Sequence, residues 1–498
     1  VVNKRRRRSD MGATSGIEFT EPSIFEIGDK ADDLSKVKER AWGINIPQHL
    51  LRKTRLGLPQ VSEVQVVRHF TRLSRRNFGV DVGFYPLGSC TMKYNPRVCE
   101  DMASLEGFIA IHPYFPREFV QGALSVMWRL EQALKEISGM SFISLAPAAG
   151  AHGELCGLKV IRKALEKRGN PRKKVLVPDT AHGTNPASSK LCGYEPVEIK
   201  VSHLGILDKE SVEKAMDEDV ACLMVTNPNT LGLFERELST ISKIVHAKGG
   251  FVYGDGANLN AILGHAKPSL LGIDCLQFNL HKTFGTPHGG GGPGAGPIGV
   301  SEELEPFLPV PRLVRVEDGS LALSEDFIES IGRVRSFYGQ FLVMVKALTY
   351  IFALGAEGLR DVAEMAVLNA NYIRAMLKDD YHLPYDRVCM HEVVFSDKYL
   401  AKEGVHTLDI AKRLMDYGFH PPTIYFPLIV SGALMIEPTE TETKGTIDAF
   451  ISAMKAIARE AKTEPEKVKN APTLTSISRP DEVLAARKPR LVNGAREG

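Results

Sequence analysis

None of the seven cysteines (Cys90, Cys99, Cys156, Cys192, Cys222, Cys275 and Cys389) stands in a Cys-x-x-Cys pair. Neither a zinc site nor a secreted disulfide framework is therefore expected, and no metal ligands are assigned. Thiols scattered in this way suit a reducing, cytoplasmic compartment. No run reaches the roughly eighteen consecutive apolar residues of a membrane-spanning helix, so insertion into a bilayer is not expected. A dominant charge is missing as well: 62 Lys and Arg against 60 Asp and Glu leave +2, too little to attract nucleic acid or an anionic membrane. No repeat has a fixed period, and the only low-complexity tract is the glycine-rich stretch 285–296, which excludes solenoids and propellers. There is no G-x-x-x-x-G-K-[ST] loop and no G-x-G-x-x-G after a first strand, so sites for ATP and dinucleotides lack support.

The chain has 498 residues, 43% hydrophobic and 24% charged, which is globular composition with room for two or three packed units. Four segments are expected. Residues 1–115 form an N-terminal segment with a helix near Glu63 to Arg76 (apolar at Val66, Val67, Phe70 and Leu73) and a polar loop, GFYPLGSCTMKYNP, at 83–96. Residues 116–340 form the large domain, 341–462 a smaller C-terminal domain, and 463–498 a surface-wrapping or mobile tail. The basic run Lys4 to Arg8 reads as a solvated tail or as sequence ahead of a start at Met11. A targeting address and a nucleic-acid arm are the alternatives, and the run is too short for a transit peptide.

Between about 117 and 340, helical patterns alternate with short apolar runs, the signature of a largely parallel sheet covered by helices. Helices are predicted at Phe119 to Ile137, Asp208 to Met216 and Glu237 to Ala247, and strands at 173–178, 221–226, 251–255, 273–278 and 297–300. Such a sheet places function at the carboxyl ends of its strands. One or two helices over Gln340 to Met376 lead into the smaller domain, with further helices at Leu408 to Leu414 and Glu442 to Ala461.

Polar and glycine residues cluster after each predicted strand. Asn279, His281 and Lys282 follow the strand at 273–278, and a lysine between a buried strand and a glycine-rich loop can lose solvation and act as a Schiff-base nucleophile. Taken alone, it is an ordinary surface lysine. Asp255 ends the preceding strand, so both side chains can share a crevice. A carboxylate there could hold a pyridine nitrogen protonated, as pyridoxal phosphate needs, or could be a structural ion pair or turn cap. The small residues Ala148 to Gly153 open a helix whose N-terminus suits a phosphate, or simply packs closely. His182 could lie flat on a cofactor ring or serve as a hydrogen-bonding loop residue. Thr226, Asn227 and Asn229 could bond cofactor or substrate, with a turn-forming Asn-Pro as the alternative. The chain order is phosphate turn, stacking group, polar strand end, aspartate, lysine. It is the order of the aspartate-aminotransferase-like α/β fold (fold type I) of pyridoxal enzymes.

The segments GFYPLGSCTMKYNP, PAAGAHGE, DTAHGTNPAS, VTNPNTLGLFE, YGDGANLNA and NLHKTFGTPHGGGGPG together resemble the P-protein of the glycine cleavage system, over residues 60–460. At this length, and with the lysine motif, the chain resembles the second subunit of that family's split form. The resemblance implies pyridoxal 5'-phosphate held by Lys282 as a Schiff base, with Asp255 on the pyridine nitrogen and His182 stacked on the ring opposite Ala257. It places Ala149, Gly150, Ala151 and His281 near the phosphate, with Asn279, Thr226, Asn227 and His152 in the surrounding polar loops. It implies decarboxylation of glycine, transfer of the aminomethyl group to the lipoyl arm of the H-protein, and a two-plus-two heterotetramer with a companion subunit. The 83–96 loop or the glycine-rich loop is expected to orient the glycine carboxylate, and the rim Gly285 to Gly296 is compatible with an open channel for the arm. Another pyridoxal decarboxylase or a desulfurase is the alternative within the class, although no cysteine on a mobile loop recommends the latter. A non-catalytic pyridoxal-fold partner is the alternative outside it, and the presence of both Lys282 and Asp255 argues against that.

Overall fold

The computed structural model describes residues 21–28, 46–54, 57–288, 294–475, 477–489 and 491. The basic run and the centre of the glycine-rich stretch, 289–293, lie outside them. The chain divides into two compact units, one of residues up to Gly79 with those from Pro472, the other Val80–Ala471.

In the first unit, the helix Glu63–Ser74 starts with a capping box: Ser62 Oγ accepts the Gln65 N–H, and the Gln65 side chain accepts the Ser62 N–H. Its buried face is polar at the centre, since His69 and Arg72 both bond the Glu21 carboxylate. Val67 and Phe70, expected on a core face, are exposed.

The second unit is built on a seven-stranded sheet in the order β1-β7-β6-β5-β4-β2-β3. Its strands are β1 (Phe142–Ser144), β2 (Lys174–Pro178), β3 (Glu195–Ile199), β4 (Val220–Thr226), β5 (Phe251–Gly256), β6 (Cys275–Phe278) and β7 (Ile298–Val300). β2 to β6 pair in parallel, while β7 runs antiparallel to both of its neighbours. β4 and β5 are buried throughout, as central strands with helices on both faces must be. The helix Gln121–Ser138 ends at Gly139 in the left-handed conformation, and Asp208 caps the helix Lys209–Ala215 by accepting the Ser211 N–H at 2.8 Å. A short hairpin, β8 (Arg312–Arg315) with β9 (Leu321–Ser324), follows the large sheet.

The helical run Phe341–Leu377 is long and apolar enough to cross a membrane by length and composition. It is broken at Gly355 (φ 64°, ψ −172°), and side chains such as Ala347, Leu348, Ala370 and Ile373 are buried in the two cores that the run connects. The second core surrounds a three-stranded sheet of β10 (Val393–Ser396), β11 (Thr423–Ile424) and β12 (Ala433–Ile436), covered by the helices Thr407–Asp416 and Lys444–Thr463. The chain does not leave this core at residue 463: Val468, in the helix Pro465–Lys469, and Ala471 are fully buried.

Candidate active site

The strand ends gather most of the residues singled out in the sequence. Thr226, Asp255 and Gln277 are register partners across β4, β5 and β6, so their side chains share one layer. Asp255 is buried, and three donors converge on its carboxylate. The Ala257 N–H reaches Oδ1 at 3.0 Å, Gln277 Nε2 reaches Oδ1 at 2.6 Å, and Asn185 Nδ2 reaches Oδ2 at 3.3 Å. Asn185 also donates to Glu154 Oε2 at 3.0 Å, and burial together with the Asp255 charge pushes the Glu154 carboxyl up to about 8. The aspartate thus faces a protonated neighbour at neutral pH.

Lys282 lies in the short helix Leu280–Thr283 after β6, and its Nζ donates to the Ser89 carbonyl at 2.9 Å. That contact brings the 83–96 loop into the site. The loop runs along β12, where Leu87 bridges Ile436, and Gly88 packs so close that a Cβ would stand 2.7 Å from the Met435 carbonyl. It is pinned at its far end by Lys93, fully buried, which donates to the Thr283 carbonyl, to Tyr350 and to Glu440. Burial opposes the Lys93 charge, but Glu440 outweighs it and raises the pKa. Burial also pushes the Cys90 thiol up to about 11, against the pull of Lys282.

His182 is exposed in the loop after β2, where Nδ1 pairs with Thr184 Oγ1 at 2.7 Å and the ring meets the edge of Phe426. Desolvation lowers its pKa although Asp255 opposes this, so the imidazole is neutral. Ala149, Gly150 and Ala151 form the start of the helix Gly150–Lys167, whose first N–H groups have no partner within the helix. A Cβ on Gly150 would stand 2.5 Å from Asn279 Oδ1, and one on Gly296 would stand 2.0 Å from the Ala149 carbonyl. His152 is tied into the turn before this helix, its Nδ1 accepting the Ala148 N–H at 3.1 Å. Asn229 is tied into its own turn and to Glu235. A cavity of about 900 Å³ opens elsewhere, between Ala133, Leu263 and Phe352, and none of these residues lines it.

The sequence matches the family described as "Glycine cleavage system P-protein" over residues 33–323 and "Glycine dehydrogenase, C-terminal domain" over 362–475. A protein from Caldanaerobacter subterraneus subsp. tengcongensis named "Probable glycine dehydrogenase (decarboxylating) subunit 2" is 56% identical over 94% of this chain and 97% of its own. A protein of the same name from Desulforamulus reducens is 54% identical over 95% and 99%. The chain belongs to the glycine cleavage system P-protein family.

The fold agrees with that membership. A crystal structure titled as glycine decarboxylase (P-protein) of the glycine cleavage system, in inhibitor-bound form, superposes with a TM-score of 0.68 at 20% identity, covering 90% of this chain and all of that one. The cysteine desulfurase of Thermococcus onnurineus NA1 follows at 0.59 and 17%, over 76% and 95%. The architecture is the fold type I of pyridoxal enzymes.

Pyridoxal 5'-phosphate is the cofactor of the P-protein family, and the residues present fit it. Buried polar atoms without partners line the crevice: Thr226 Oγ1, Asn227 Nδ2, Gln277 Oε1, Asn279 Nδ2 and His281 Nδ1. A group rich in hydrogen-bonding atoms is what such orphans call for. The close approach of Gly150 to Asn279 and of Gly296 to Ala149 leaves room for no side chain where a phosphate would meet the helix start.

Three partners of Asp255 were not legible in advance. Asn185, Gln277 and Glu154 reach it only through strand register and helix packing. A signal existed for two of them, because Gln277 and Glu154 are polar residues inside otherwise apolar, buried stretches.

Proposed function

We propose that this chain decarboxylates glycine with pyridoxal phosphate and passes the remaining aminomethyl group to the lipoyl arm of the H-protein. Glycine decarboxylation is the known role of the P-protein family. The observation that carries the residue assignments is the convergence of Lys282 and the triply bonded Asp255 on a crevice lined with unpartnered polar atoms.

Bound there, pyridoxal phosphate supplies an electron sink for the pair released when the glycine carboxylate leaves. The chain's own residues have separate tasks. Lys282 Nζ is the amine that would hold the cofactor. Asp255 holds a proton at the pyridine nitrogen, and its donors Asn185, Gln277 and the Ala257 N–H fix the carboxylate in place. His182, neutral, would cover one face of the ring and Ala257 the other. The helix start at Ala149 to Ala151, with Asn279 and His281, receives the phosphate. Thr226 and Asn227 supply side-chain hydrogen bonds at the end of β4. The 88–93 loop closes the substrate side and excludes water from Lys282.

Overall, the bond from the glycine carbon to its carboxylate breaks, a carbon–sulfur bond forms, and the lipoyl disulfide is reduced to one thioether and one thiol. The companion subunit, in a two-plus-two heterotetramer, completes the assembly; the "subunit 2" in the names of the relatives supports this. A cytoplasmic location accords with seven free cysteines.

The test is exchange of labelled bicarbonate into glycine by the chain with its companion subunit and lipoylated H-protein. Exchange that requires all three is expected. Exchange unaffected by omitting the H-protein would contradict the transfer, and no exchange at all would contradict the activity.

A further inference from the structure

Behind the 88–91 loop lies a buried group to which the cofactor roles assign nothing. His391 and Glu392 directly precede β10, Glu437 directly follows β12, and all three side chains have no solvent exposure. Glu392 Oε2 accepts the Ser89 N–H at 2.7 Å, and Glu437 Oε2 accepts the Thr91 N–H at 2.9 Å. His391 Nε2 stands 3.8 Å from Glu392 and 3.9 Å from Glu437. Among the described residues, Glu392 Oε1, Glu437 Oε1 and both nitrogens of His391 make no hydrogen bond.

The backbone that these carboxylates hold is strained. Ser89 (φ 62°) and Thr91 (φ 48°) are non-glycine residues in the left-handed region, which L side chains rarely adopt. Ser89 links the two sides, with its N–H on Glu392 and its carbonyl on the Lys282 ammonium. One carboxylate oxygen of Glu392, one of Glu437 and a ring nitrogen of His391 lie within 4.8 Å of one another. Two carboxylates at that separation, away from water, do not both ionise, and one proton kept by the pair leaves one negative charge. Burial pushes both carboxyls up, the Glu437 charge pushes Glu392 further, and Lys282 pulls both down.

We infer that Glu392 and Glu437 form a proton-sharing pair that aims the Gly88–Thr91 loop at Lys282 and presents a single negative charge to it. They are positioning residues, acting on the cofactor lysine through Ser89 and through the field. The other groups facing this centre are accounted for. His391 is kept neutral by burial, with Lys282 adding to the effect, and Cys90 is a neutral thiol. Lys93 acts on Glu437 from the far end of the loop but is matched by Glu440, and His288, neutral through burial, faces Lys282. The inference rests on Lys282 being the lysine that carries the cofactor.

The test is a pH titration of the visible band of the holoenzyme, with its companion subunit, for the parent, Glu392→Gln, Glu437→Gln and the double variant. Each single variant keeps one carboxylate, so its midpoint should stay close to the parent's. The double variant loses the charge, and its midpoint should fall by about one pH unit or more. Equal midpoints in all four, whatever the change in melting temperature, would overturn the inference and leave a purely structural role. Infrared difference spectra give a reading that does not need the double variant to fold. Beyond the protonated Glu154 common to all the proteins, the parent at neutral pH should show a protonated-carboxyl band that both single variants lack, and parent-minus-variant spectra without such a band would overturn the pair. A stoichiometric divalent ion in the parent that is lost in the single variants would also overturn it. A parent without any band attributable to Lys282 would instead refute the functional reading on which the inference stands.

Discussion

Lys282 Nζ donates to the Ser89 carbonyl at 2.9 Å across 193 residues of chain. The contact ties a loop that rides on the smaller sheet to the end of β6 in the larger one. The amine is therefore held at the seam between two cores.

Asp255→Asn keeps the size of the side chain and removes its charge. Cofactor should be retained, with glycine–bicarbonate exchange lowered about a hundredfold or more, because the electron sink loses its proton-holding partner. Exchange assays on the spectroscopically loaded variant check this, and near-normal turnover would assign the role elsewhere.

Gly296→Val places a side chain where even a Cβ meets the Ala149 carbonyl at 2.0 Å. Displacement of the helix start should weaken cofactor retention roughly tenfold or more. Equilibrium dialysis measures it. Gly183→Ala, at a position with open space around its Cα, should bind the cofactor as the parent does.

Glu154 carries a signed pH prediction for the cofactor-free protein. Its folded pKa, about 8, lies above the ordinary carboxyl value of 4.5. The stabilisation is complete below about 4.5 and is lost as pH rises toward about 8, at up to about 1.4 kcal/mol per pH unit. Glu154→Gln should remove that slope, so urea unfolding at several pH values should show the variant gaining on the parent as pH rises. Parallel curves would mean that Glu154 is ionised in the native state.

Much of the large domain was legible because its interior strands are short apolar runs ending in polar clusters. The two strands of the seven-stranded sheet that the sequence did not announce, β1 and β3, are its edges. β1 has three residues, and β3, Glu195–Ile199, contains Pro196 and two glutamates, which only an edge strand tolerates. The candidate residues Asp255 and Lys282 were legible because each follows a buried strand. The partners that give them their setting were not. Gln277 meets Asp255 by register, and Glu392 and Glu437 meet the 88–91 loop from more than 300 positions away. The break at Gly355 resolves the one or two helices expected over this run into two.

Lys93 tests the anchoring of the loop. Lys93→Met leaves Glu440 without its buried cation and should destabilise the fold by about 3–5 kcal/mol. The double variant Lys93→Met/Glu440→Leu should recover much of that loss, because no buried charge is left unpaired. Chemical denaturation of the three proteins decides, and additive losses would mean the ion pair itself contributes little.

The central claim is that Lys282 carries the cofactor. The purified chain with its companion subunit should show a visible band that borohydride abolishes, and peptide mapping should find the reduced pyridoxyl group on Lys282. Lys282→Ala should lack the reducible band while its far-ultraviolet circular dichroism and melting remain close to the parent's. A reduced group mapped to another lysine, or a normal reducible band in Lys282→Ala, would contradict the account.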